Sequence, residues 1–191
     1  PDNKEPQEQQ ETEQHPEPTS AEQRLIDGYN EMMQHLKLLM ERLEKAEEEA
    51  RPKVQQMLET AREQAIELNK LTREEAQKVS EYIKRDMHDA AEFLIQTEKD
   101  LAEWLQFDFN LIENWLWETF QSVADKTRLE LMAFRERFES DTTYKTGEIT
   151  GPGALECIEC GCIMNFKKTV RIPPCPKCHK TVFKRAPAKA E

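Results

Sequence analysis

"LECIECGCIMNFKKTVRIPPCPKCHKTVFKR", Leu155 to Arg185, holds all five cysteines of this 191-residue chain. Four of them form two Cys-x-x-Cys pairs, Cys157 with Cys160 and Cys175 with Cys178, fourteen residues apart. Each pair turns tightly enough for two thiolates to reach one ion. Two such knuckles complete a tetrahedral shell of four sulphurs, for which zinc is the usual occupant. Gly161 after the first pair and Pro176 inside the second are turn-forming residues in suitable places. "IMNFKKTVRI" between the pairs and "TVFKR" after them have β character. Residues 155–187 therefore read as a zinc ribbon of three short strands. A disulfide or redox pairing is the competing reading, and a reducing compartment disfavours it.

Protein sulphurs fill all four coordination positions, so no water is left for activation and the expected zinc is one structural ion. A segment this small has little core of its own. Structural zinc supplies ~10–16 kcal/mol of apparent binding energy near neutral pH, which becomes folding energy here. The expectation is that metal removal melts 155–185 and leaves the helices folded. Cys162 is the remainder. It is expected to point away from the ion as an inert thiol, with redox or zinc sensing as the sharper alternative, which lysines lowering its pKa would favour. His179, beside Cys178, is poorly placed to compete as a ligand.

Around these cysteines the charge is positive. Lys167, Lys168, Arg171, Lys177, Lys180, Lys184 and Arg185 fall within nineteen residues, and 142–191 hold nine Lys/Arg against four Asp/Glu. The whole chain carries a formal net charge of -11, so a basic end follows an acidic body. Such a patch attracts nucleic-acid phosphates, docks on a protein or nucleoprotein partner, or lies against the acidic helices of the same molecule. Phe166 and Phe183 are expected in the ribbon's small core.

Upstream lies a helical region over 20–140, with helices expected at about 21–50, 52–70, 73–106 and 109–139. Leu25, Tyr29, Met32, Leu36, Leu39, Leu43 and Ala46 recur at alternating four- and three-residue steps, a heptad seam. Pro52 breaks a helix interior but suits a new first turn, which predicts an antiparallel hairpin there, with a kinked continuous helix as the alternative. In "LTREEA", Thr72 and Glu75 form a capping box, with Leu71 and Ala76 placed as a staple. The fold class expected is mainly α: an antiparallel bundle with coiled-coil packing, then the small β ribbon. Residues 141–154 read as an irregular or extended connector. Residues 1–19 lack Leu, Ile, Val, Phe, Tyr and Trp and are expected to be a disordered acidic tail.

Within the last two helices, "WLQFDFNLIENWLWETF" concentrates six aromatics in seventeen residues. A core knot is the bland reading. A partner patch at Trp115 and Trp117 is the sharper one, because both cannot face one helical stripe. Self-association through the seam is a further expectation, although four helices in one chain satisfy their own seam.

From Asp125 onward the chain resembles the YbeL-type family of bacterial zinc-ribbon proteins. The likeness rests on "DKTRLE" (125–130), on "Y-x-T-G-E-x-x-G-x-G-x-L" from Tyr144 to Leu155, on the two knuckles, and on Phe183, Arg185 and Pro187 after "CPKC". It implies a bacterial cytosolic protein, helices first and ribbon last, with Cys157, Cys160, Cys175 and Cys178 as ligands. Cys162 is outside the family pattern, and the resemblance implies no reaction.

Catalysis finds no support in the residues: there is no Gly-rich phosphate loop, Gly-x-Ser-x-Gly elbow or His-Glu-x-x-His, and the four histidines lie far apart. No run approaches the ~18 apolar residues of a membrane span. The acidic, polar start carries no secretory signal. The expected compartment is the cytoplasm. The expected role is that of a non-catalytic adaptor, with direct RNA or DNA binding as the alternative.

Overall fold

Thr-x-x-Glu opens two helices in the same way. Thr19 N donates to Glu22 Oε2 (2.7 Å) and Glu22 N donates to Thr19 Oγ1 (3.3 Å), starting α1 at Ser20–Leu43. Thr72 N donates to Glu75 Oε2 (2.9 Å) and Glu75 N to Thr72 Oγ1 (3.2 Å), starting α3 at Arg73–Thr97. Between them lies α2, Val54–Glu67. It ends where Asn69 takes a left-handed φ of 54° and Lys70 N returns to Ala65 O. These elements come from a computed structural model that describes residues 19–43, 54–97, 118–119 and 143–186.

From Leu25 to Leu39 the heptad seam is the inner face of α1; Ala46 lies outside the described residues. Tyr29, Met32 and Leu36 are buried with Leu58, Ala61 and Ala65 of α2 and Val79, Ile83, Met87 and Ala90 of α3; Leu25 and Leu39 pack at the edge. The staple residues Leu71 and Ala76 join the same core. Gly28 sits within α1 because a Cβ there would lie 2.6 Å from Leu71 Cδ1. α1 and α2 lie side by side, with Leu38 and Ala61 lining one groove and Lys70 Nζ reaching Glu31 Oε1 at 3.1 Å. A single kinked helix does not permit that packing, so α1 and α2 form a hairpin; Pro52 itself lies outside the described residues. The expected fourth helix also lies outside them, apart from helical Glu118 and Thr119, as do the aromatic run at Trp115 and Trp117 and the tail at 1–18. Glu118 meets Lys37 of α1 at 3.7 Å.

The ribbon departs from the three strands expected. Among the described residues six are present, four of them in or entering the 155–187 stretch: β1 (Tyr144–Lys145), β2 (Ile149–Thr150), β3 (Gly153–Cys157), β4 (Ile163–Phe166), β5 (Val170–Arg171) and β6 (Val182–Arg185). They form an antiparallel sheet in the order β1-β6-β3-β4 and a separate antiparallel pair, β2-β5. The stretch 141–154, expected to be an irregular or extended connector, contributes β1, β2 and the start of β3, with turns between them. Strands of two residues are too short to show a hydrophobic alternation, and the glycines that looked like loop markers serve the sheet. Gly147 turns at φ 96° between β1 and β2, and Gly151 passes so close to Tyr29 that a Cβ would lie 2.8 Å from its hydroxyl.

Candidate metal centre

Each knuckle repeats one backbone device. In the first, Cys157 N donates to Cys162 O (2.9 Å) and Gly161 N to Cys157 O (2.9 Å). In the second, Cys175 N donates to Lys180 O (2.9 Å) and His179 N to Cys175 O (2.8 Å). The residue that closes each loop is left-handed: Gly161 at φ 68° and His179 at φ 57°. His179 therefore serves by its backbone, the position where glycine stands in the other knuckle.

These loops bring the four sulphurs together. Cys157 Sγ lies 3.5 Å from Cys178 Sγ and Cys160 Sγ 3.6 Å from Cys175 Sγ, and all four fall within 4.8 Å of one another. A tetrahedron of ~2.3 Å zinc–sulphur bonds has sulphur–sulphur edges of roughly 3.8 Å. The set fits zinc, and the separations are far from the ~2.05 Å of a disulfide. Burial raises the Cys175 thiol, but the Cys178 and Lys177 backbone amides prevail and bring it down to about 6. The Lys180 amide lowers Cys178, but burial and the sulphurs of Cys160, Cys157 and Cys175 overcome it and push that thiol up to about 12, as expected of closely packed thiols competing for charge. Cys157 and Cys175 are fully buried among Tyr144, Leu155, Met164, Phe166, Ile172 and Phe183, so metal and apolar core occupy one volume. Cys162 packs at its edge. Burial, then the sulphurs of Cys175 and Cys160, raise its pKa and outweigh Lys177.

The seven basic residues do not form one patch. Arg185 is corrected first: its side chain is 10% exposed and faces inward. Its Nη2 donates to Tyr144 Oη (2.6 Å), and it pairs with Asp86 (3.4 Å) and Asp89 (3.6 Å) of α3. The reason is strand parity, which puts Arg185 on the same face of β6 as buried Phe183. Arg171 pairs with Glu22 at the start of α1 (2.7 Å) and Lys184 with Glu156 (3.4 Å). Lys167 and Lys168 are exposed beyond Phe166, whose partner is Gly153. Lys177 and Lys180 are exposed at the knuckle end, where Ile163 pairs with Glu156. The two lysine pairs thus stand at opposite ends of the β3–β4 hairpin. At that knuckle end, Ile158 and Ile163 are each 48% exposed.

The basic end does lie against the acidic helices, one of the three readings of its charge, and the contact is a buried polar network. Asp86 is fully buried; its Oδ2 accepts from Gly151 N (2.7 Å), Tyr29 Oη (2.8 Å) and Thr150 Oγ1 (3.2 Å). Asp89 accepts from Tyr144 Oη (2.5 Å). The guanidinium groups of Arg85 and Arg185 lie 3.8 and 4.7 Å from the Tyr144 ring centroid. Arg85 also bonds Glu148 and donates to Ile149 O (3.0 Å). Burial, and after it Asp86, raises Tyr29 well above 10; burial raises Tyr144 likewise, against the pull of Arg185. Burial alone would lower Arg85, but Asp86, Tyr144 and Glu148 overcome it and keep the cation charged. The available signal was Asp86 and Asp89 standing beside Ile83, Met87 and Ala90 on the apolar stripe of α3.

A sheet carrying two Cys-x-x-Cys knuckles on a four-sulphur cluster defines a zinc-ribbon protein. Residues 41–187 match the family described as zinc-ribbon containing domain, and the chain belongs to it. Relatives named "Uncharacterized protein YbeL" in Escherichia coli strains K12 and O157:H7 are 30% identical over 77 residues, 40% of this chain. That stretch spans about half of those relatives, 48% of their length. No solved structure matches the chain. No helix among the described residues is long and apolar enough to cross a membrane.

Proposed function

We propose that this chain is a non-catalytic zinc-dependent adaptor whose ribbon docks, by its knuckle end, onto a protein, alone or within a nucleoprotein complex. The observation that carries this reading is the pair of exposed isoleucines, Ile158 and Ile163, at the end of the ribbon that also bears Lys177 and Lys180. A surface mixing apolar side chains with cations suits a protein face with an acidic rim. Phosphate backbones call instead for a continuous basic stripe. Three of the seven basic residues are engaged within the molecule, Arg171 with Glu22, Lys184 with Glu156 and Arg185 with the junction, which weakens such a stripe. The zinc supplies the shape, and the absence of an open coordination position among four cysteines gives it no catalytic part. Trp115 and Trp117 remain the proposed partner patch of the helical region.

The test is capture from a bacterial extract on the immobilised zinc-loaded chain, with and without nuclease. The adaptor reading expects a protein retained after nuclease treatment and lost with Ile158→Ser plus Ile163→Ser. Direct nucleic-acid binding instead expects retention on RNA that falls with salt and with Lys167→Glu plus Lys168→Glu, and is indifferent to the isoleucines. That second result would replace the adaptor reading.

A further inference from the structure

The zinc ligands and the junction on α3 are parts of one sheet. Cys157 stands opposite Phe183, and Phe183 opposite Tyr144, so a zinc ligand and the tyrosine that bonds Asp89 share one cross-strand row. Arg185 lies two residues along β6 from Phe183, on the same face. Ile158 N, in the first knuckle, donates to Val182 O at the start of β6 (3.2 Å). The ribbon-side partners of Asp86 and Asp89 are Gly151 N, Thr150 Oγ1, Tyr144 Oη and Arg185. Tyr144 and Arg185 come from strands whose core includes Cys157 and Cys175.

We propose that zinc occupancy latches the ribbon onto α3, and that metal loss releases it and uncovers Asp86, Asp89 and Tyr29 as a surface the metal-bound protein hides. Without the ion, four adjacent sulphurs no longer hold the knuckles together, and the small core that includes two of them has little else to support it. β6 and β1 lose their alignment and withdraw Arg185 and Tyr144. Asp86 then keeps Tyr29 and Arg85 but loses its ribbon donors, and a carboxylate in that position draws in water. Among the described residues, the helical core of Leu58, Ala61, Val79 and Ile83 takes Ile149 alone from the ribbon, so opening stops at the junction. This replaces the expectation of a ribbon that melts with no effect on the helices. The latch rests on the metal site and is independent of what the ribbon binds.

Hydrogen exchange on the full reduced chain, zinc-loaded and then treated with a chelator, tests it. The latch expects the ribbon and the segment from Tyr82 to Phe93 to exchange at least ~10-fold faster after chelation, with Val54–Glu67 unchanged. Added zinc restores protection. Arg185→Met, with its zinc content measured and retained, is expected to speed exchange at 82–93 while the metal is bound. Unchanged exchange at 82–93 on chelation overturns the latch. So does loss of α2 and α3 together, which would make zinc a requirement for the whole fold. Should Arg185→Met fail to fold, Tyr144→Phe removes the hydroxyl bond to Asp89 and keeps the ring; no acceleration at 82–93 in that variant also counts against the latch.

Discussion

Asp86 shows how one side chain sets the packing of two halves. It is a buried carboxylate whose donors come from α1, β2, the turn after β2 and β6. Removing it leaves Arg85 and Arg185 close together with less counter-charge, and breaking a buried ion pair costs about 3–5 kcal/mol. Asp86→Ala is accordingly predicted to lower the unfolding free energy measured by urea titration by about that much, with zinc stoichiometry the control for a native ribbon. The two left-handed knuckle residues allow a sharper comparison. Gly161→Ala puts a Cβ at φ 68°, and left-handed backbone costs an L-residue roughly 1–2 kcal/mol. His179→Gly relieves the same strain at φ 57° and is predicted to stabilise the ribbon. Chelator competition on both variants reads the effect, weaker zinc retention for the first and tighter for the second. The four ligands were legible because spacing alone constrains them. Asp86 and Arg185 were not, because their burial depends on partners such as Tyr29 and Tyr144, 57 and 41 residues away.

Among the elements, helix starts followed local chemistry most closely. Thr72 and Glu75 form the cap that "LTREEA" announces, and Thr19 with Glu22 repeats it at a start whose capping signal passed unread. Thr72→Ala is predicted to lower stability by about 1 kcal/mol at neutral pH in thermal unfolding. The Thr72 amide holds the Glu75 carboxyl below its ordinary 4.5, with Arg24 assisting, although partial desolvation opposes them. A lowered folded-state pKa means that this contribution is complete above 4.5 and is lost as pH falls through the lower folded value. Glu75→Gln should therefore flatten the acid side of the stability profile, and an unchanged profile would contradict the cap. The strands were harder to read. β1, β2 and β5 have two residues each, so no period exists to detect, and their positions follow from pairing with β6 and with each other. Heptad spacing exposed the inner face of α1 because burial there recurs over several turns. It carried no information on how the ribbon would sit against α3.

Across the molecule, the acidic helices and the basic end meet. Arg171 joins Glu22, Thr169 Oγ1 donates to Asn30 Oδ1 (2.6 Å), and Arg185 enters the carboxylates of α3. Part of the positive charge visible in the sequence therefore serves internal docking, and what stays outward is divided between two ends of a hairpin. The division was invisible in a linear count of lysines, because strand register and not chain proximity decides which side chains are neighbours. The account depends on one ion held by Cys157, Cys160, Cys175 and Cys178. Its most direct test is zinc content per chain in reduced, purified protein, measured for the natural sequence and for each single Cys→Ser variant. The prediction is one zinc per chain in the natural sequence and in Cys162→Ser, with substoichiometric, readily chelated metal in the other four. No stoichiometric zinc in the natural chain, or a loss in Cys162→Ser equal to that in the others, would contradict it.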